Sequence, residues 1–175
     1  MKNIIKPIIV TLLIMLTCGG ALAILSDLLY VSTDERIQRA INSIYVDKQT
    51  PVTLLNEVDV NDVDMSDLEN TGVIKSCYKL SNGDFLVLST GKKGYSNGTV
   101  SCYVAIDNSL MVKKVVKDSD KGQTLMSKIT GLYDKFIGKT VGDDISEVVT
   151  GATFSSNAVS NSIYVALEFV SRIGG

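Results

Sequence analysis

The run Thr150-Gly151-Ala152-Thr153-Phe154-Ser155-Ser156 sets four hydroxyl side chains around two small residues, directly before the last amphipathic stretch of a 175-residue chain. Such a segment suits a phosphate group. Gly151 and Ala152 keep bulk away from the backbone, and Thr153 offers a hydroxyl that can be esterified. Ser155 and Ser156 can donate to phosphate oxygens or cap the helix that follows. That helix is expected to begin near Ser156, where unpaired N–H groups and a positive dipole end favour an anion. An ordinary loop and N-cap would have the same local composition.

The rest of the reactive inventory is sparse. The chain has no histidine, which removes the usual general base near neutral pH and the commonest metal ligand. No lysine lies near residues 150–156 in sequence, so a Ser-Lys hydrolase has no evident base and an ester at Thr153 must be made by another protein. Of three cysteines, Cys18 falls in an apolar run, while Cys77 and Cys102 fall on expected strands, as free thiols or as a disulfide. The stretch Asn56–Asn70 carries Glu57, Asp59, Asp62, Asp64, Asp67 and Glu69 with no basic residue. Its spacing lacks the glycine and terminal glutamate of a calcium loop. It reads as a solvated loop or short edge element, and no metal site or catalytic residue is assigned.

Several elements must position the hydroxyl run. Hydrophobic residues make up 45% of the chain and the mean hydropathy is +0.23. Pro7 to Ser26 is twenty residues without a charge, enough for a helix to cross a bilayer. Lys2 and Lys6 precede it and acidic residues follow, which places the N-terminus in the cytoplasm and the remainder outside. Ala21-Leu22-Ala23 offers a cleavage site as the competing reading. Beyond the run, 15 basic residues against 19 acidic give a net charge of −4. That balance argues against nucleic-acid binding.

Ser32-Thr33-Asp34-Glu35 is a capping-box pattern, and Ile37, Ala40, Ile41, Ile44 and Tyr45 repeat at helical spacing. Asp47 to Pro51 breaks this helix. Strands follow at 73–80, 85–89, 99–106 and 110–116, with a hairpin turn at Ser81-Asn82-Gly83-Asp84. Leu125, Ile129, Leu132, Tyr133 and Phe136 mark one helix, and Val159, Ile163, Ala166, Leu167 and Val170 mark another. The expected fold is α+β: a single N-terminal transmembrane helix, then a domain of antiparallel sheet and packed helices.

The Thr-Gly-Ala-Thr-x-Ser-Ser run resembles the flavinylation sequence of the FMN-binding subunits of Rnf and Na⁺-pumping NADH:quinone oxidoreductase complexes. Lys93-Gly94-Tyr95-Ser96-Asn97-Gly98-Thr99-Val100 with Tyr103-Val104-Ala105-Ile106-Asp107 resembles the family's G-Y-x-G strand entry and V-x-I-D continuation. Leu132 to Lys139 is similar to its F-x-G-K segment. The likeness covers most of Gly72 to Ser171 plus the anchor. It implies residues 1–27 as anchor, 28–50 as an amphipathic linker helix and 51–175 as an FMN-binding domain on the extracytoplasmic side of the cell membrane. It further implies FMN joined by its phosphate to Thr153, with a flavin transferase that consumes FAD as maturation partner. Thr150, Gly151, Ala152, Ser155 and Ser156 would surround the attachment point, and Gly94 and Tyr95 would join them.

In the family, an E-T-P-G-L-G loop lies beside the flavin ring. Here that loop is reduced to Ser119-Asp120-Lys121-Gly122-Gln123-Thr124-Leu125, and the resemblance implies that Gly122, Thr124 and Leu125 would keep part of that role. The signature's Asp is replaced by Glu147. The implied activity is electron relay through covalent FMN within an ion-translocating oxidoreductase, alongside other membrane subunits. The rival reading is a flavin-free structural or assembly subunit with the same fold.

Overall fold

A computed structural model of the chain describes residues 2–29, 31–46 and 51–174. It has an α+β fold and divides between Gln38 and Arg39 into two compact units.

The first unit holds helix α1, Lys2–Leu29. Its Lys6–Ser26 portion has a mean hydropathy of 2.6 and is about 31 Å long, enough to span a bilayer. Its apolar side chains are bare: Met15 and Leu16 are 70% and 73% exposed. The Thr11 and Thr17 hydroxyls donate back to Pro7 O and Leu13 O, so neither leaves an unpaired polar group on that surface. Helix α2, Thr33–Ile44, follows. The Ser32 hydroxyl accepts the Glu35 N–H at 3.2 Å, the first half of the expected capping box. The break expected from Asp47 lies on residues outside those described.

The second unit is a five-stranded antiparallel sheet in the order β1 (Leu54–Val58), β2 (Gly72–Leu80), β3 (Phe85–Gly91), β4 (Thr99–Ile106) and β5 (Val112–Lys121). Two differences from the sequence reading stand out. The fifth strand, β1, is a short edge strand whose Leu54 and Leu55 are exposed, so no alternating pattern announces it. β5 runs five residues past Val116, because Ser101, Val100 and Thr99 pair with Ser119, Asp120 and Lys121 despite their polarity.

The final helix, α3, spans Thr153–Ile173 and lies on β3 and β4. Ala158, Val159, Ile163, Ala166, Leu167, Phe169 and Val170 enter the core with Val87, Val100, Cys102 and Val104. Close approach needs small residues. A methyl group at Gly91 would fall 1.9 Å from Ala158 O. The Ser89 and Ser162 hydroxyls reach each other's carbonyls at 2.8 and 3.1 Å. The segment expected as an α-helix around Leu132 is a 3₁₀ stretch, Met126–Phe136, interrupted at Ile129. Ile129, Leu132 and Phe136 are nevertheless buried in the core.

Cys77 and Cys102 are free and buried. Cys77 lies on β2 opposite Val87, and Cys102 on β4 opposite Ser89, so β3 separates them. Two strand spacings are about 9.5 Å, beyond disulfide reach.

Candidate functional site

The chain enters α3 through a tight turn. Val149 O accepts the Ala152 N–H at 2.9 Å, and Gly151 sits at φ +79°, a left-handed conformation that suits glycine. Ala152 is the N-cap and its side chain makes no capping bond. The helix therefore begins at Thr153, three residues before the expected start. Thr153 and Thr150 are exposed. Neither hydroxyl has a hydrogen-bond partner among the described residues.

Ser155 and Ser156 differ from expectation. Both are buried, at 2% and 0% exposure. The Ser156 hydroxyl accepts the Val149 N–H at 3.1 Å and donates to Ala152 O at 3.0 Å, clasping the turn. The Ser155 hydroxyl donates to Gln123 Oε1 at 2.9 Å. Both hydroxyls are committed to the fold, so they are withdrawn as phosphate ligands. Among the hydroxyls of the run, Thr153 alone is both exposed and at the head of the helix.

One residue that sequence reasoning passed over joins this place, and one that it singled out is fixed by ion pairs. Lys128 Nζ lies 4.0 Å from the Cβ position of Gly151, which puts a cation beside the amino end of α3. It stands 23 residues away in the chain, so only the turn of the 3₁₀ stretch brings it near. Glu147, the departure from the flavinylation signature, pairs with Lys135 at 3.4 Å and Lys139 at 3.9 Å. Its backbone carbonyl accepts the Ser160 hydroxyl at 3.2 Å, which pins the approach to the turn.

A second group forms beside the first turn of α3. Gly94 and Tyr95 sit on a short turn in which Lys93, Ser96 and Asn97 all have φ between 50° and 65°. Such conformations cost free energy in non-glycine residues and concentrate at functional sites. The turn is closed by Gly94 N–H to Gly98 O at 3.0 Å and Gly98 N–H to Tyr95 O at 2.8 Å. It presents the Tyr95 ring, 53% exposed, edge-on to Phe154, 59% exposed, with centroids 6.4 Å apart. Gly122 packs beneath this turn, 3.3 Å from Gly98 Cα measured from its would-be Cβ. Gln123 follows it. Thr124 is exposed, whereas the Leu125 side chain packs against the core margin and is withdrawn from the ring-side set.

The acidic stretch is occupied by its own structure. Asp59 and Asp64 accept the N–H groups of Asn61 and Ser66, and Asp67 takes both Arg172 nitrogens at 2.8 Å. The Ser66 backbone and hydroxyl hold Asp64 below the usual carboxylate range, and the Arg172 guanidinium does the same for Asp67. Among the described residues no group of three or more acidic or cysteine side chains could hold a metal ion.

The surroundings of Thr153 are compatible with a phosphate ester carrying a flat aromatic group: an open left-handed turn, first-turn N–H donors, a lysine ammonium beside Gly151, the exposed Phe154 ring at the next position and the Tyr95 ring against it. No protein-family model, no curated protein and no solved structure matches this chain.

Proposed function

We propose that this chain is a membrane-anchored flavoprotein subunit of an Rnf-like ion-translocating oxidoreductase, holding FMN by a phosphoester to Thr153. The observation that carries this reading is the contrast among the four hydroxyls of the run. Ser155 and Ser156 are buried and bonded, while Thr153 stands open at the head of α3. Lys128 and the first-turn N–H groups would hold the ester's negative charge. Gly151 leaves room for it, and Phe154 and Tyr95 offer apolar faces to the attached group.

Thr153 has no base of its own, so a flavin transferase would take the hydroxyl proton. The Thr153 oxygen would form the new P–O bond as AMP leaves FAD. Bound flavin supplies reversible electron transfer. Helix α1 would cross the cell membrane once, with the N-terminus cytoplasmic by the positive-inside rule and the sheet domain outside. One such helix provides no ion pathway, so other membrane subunits would be its partners.

The test is intact-mass measurement and in-gel flavin fluorescence of the full chain, isolated from membranes that contain a working transferase. The wild type is expected to carry one FMN. Thr150→Val should keep it and Thr153→Val should lose it. An unmodified wild-type mass favours the flavin-free structural subunit and overturns the reading. Fluorescence retained in Thr153→Val moves the attachment elsewhere.

A further inference from the structure

Gln123 stands at the junction of three pieces of chain. Its Oε1 accepts the Tyr95 backbone N–H at 3.2 Å and the Ser155 hydroxyl at 2.9 Å. One amide oxygen therefore ties the left-handed turn at 93–98, the end of β5 and the first turn of α3. The other end of the same amide is buried among glycines. Its Nε2 lies 2.3 Å and 2.4 Å from the Cβ positions of Gly94 and Gly98, which also fall 2.6 Å from Gly98 O and 2.5 Å from Lys121 O, so both positions call for glycine and the amide occupies the space this leaves. That nitrogen is shielded from solvent and has no acceptor among the described residues. Turning the amide over would set an NH2 group against the Tyr95 N–H. The orphaned donor is thus the cost of placing the oxygen where both bonds can form.

We propose that Gln123 is the positioning residue of the Thr153 site: its side-chain amide fastens the turn bearing Tyr95 to the first turn of α3, and so fixes the Tyr95–Phe154 ring pair beside the attachment hydroxyl. This rests on the flavin reading above and adds to it what holds the aromatic wall in place. A buried amide that leaves a donor unpaired gives the fold little stability. Its contribution is geometric. Ser155, withdrawn as a phosphate ligand, becomes the helix-side anchor of this clasp. Tyr95 would otherwise ride on a turn with three strained residues and an exposed ring.

The test compares wild type, Gln123→Met and Ser155→Ala in the full chain, in two states. In the unmodified protein, hydrogen exchange at the Tyr95 amide reads the clasp with no flavin involved. Losing one net hydrogen bond should speed that exchange by about fivefold in Gln123→Met. The thermal midpoint should fall only slightly, because removal of the orphaned N–H partly offsets the acceptor lost to the buried Ser155 hydroxyl. In protein modified by the transferase, intact mass should show unchanged attachment. Flavin fluorescence anisotropy should fall in Gln123→Met, and to a lesser extent in Ser155→Ala, as the ring pair loosens.

Unchanged Tyr95 exchange in Gln123→Met, or wild-type anisotropy in a fully attached and folded variant, overturns the proposal. If Gln123→Met does not fold, Ser155→Ala decides by the same two measurements. Failure of the flavin reading itself shows separately, as wild type with no added mass, and the exchange measurement still judges the clasp.

Discussion

Replacing Gly91 with alanine places a methyl group 1.9 Å from Ala158 O and 2.4 Å from Ser162 N. An ordinary contact starts near 3.4 Å, so the methyl falls about 1.5 Å short of the room it needs. Both obstructing atoms belong to the backbone of α3, and no rotamer change relieves them. The helix must lift from β3, which also parts the Ser89–Ser162 hydroxyls now 2.8 Å apart. Overpacking of this kind plus one buried hydrogen bond amounts to about 3 kcal/mol. For a domain of this size that lowers the melting midpoint by roughly 10 °C. The assay is thermal unfolding of the full chain in detergent, followed by circular dichroism. Gly131→Ala is the control, since nothing lies within 4 Å of its added methyl, and it should melt within a degree or two of wild type. If Gly91→Ala melted there too, the account of how α3 is seated, and with it the placement of Thr153, would be wrong.

Three further outcomes follow from particular side chains. Asp84, 2% exposed, accepts from the Tyr45 hydroxyl at 2.6 Å, Asn82 at 2.7 Å and Lys113 at 3.0 Å. Asp84→Ala should destabilise by about 2–3 kcal/mol in urea unfolding, less than a fully buried pair because Lys113 is partly exposed. Burial pushes the Cys77 and Cys102 thiols up from 9.0 to about 12. Their raised values contribute stability fully present below pH 9 and lost as pH rises toward 12. Neither thiol should react with iodoacetamide in native protein at neutral pH, and both should react in denaturant. Arg172→Met should return the Asp67 carboxyl toward its ordinary value in an NMR titration, since the guanidinium is what lowers it. The stability that this depressed group adds is present above the ordinary carboxylate range and lost as pH falls through its folded value.

The fold was legible where one rule dominated. The uncharged run, the Ser81–Asp84 turn and the strand Thr99–Ile106 came from length, turn chemistry and apolar content. β1, only part of which fell in the stretch read as a loop or short edge element, and the tail of β5 were hidden because their residues are exposed or charged, and only pairing with β2 and β4 makes them strands. The start of α3 was set three residues late. Serines 155 and 156 look like caps in one dimension, yet they point into the core. Thr153, Gly151, Gly94, Tyr95 and Gly122 do gather around the head of α3. Lys128 and Gln123, the two residues that add charge and attachment there, carry no local pattern. They stand more than 20 residues from Thr153, and chain distance hides such neighbours.

Helix α3 is the last described element made during synthesis, and it bears both the core's closing face and the candidate attachment hydroxyl. Until it docks, β3 and β4 show bare apolar side chains and the Tyr95 ring lacks its Phe154 neighbour. A modifying enzyme that reads this corner of the protein would therefore meet its target only on a finished, correctly packed chain. The attached group would then mark completed folding.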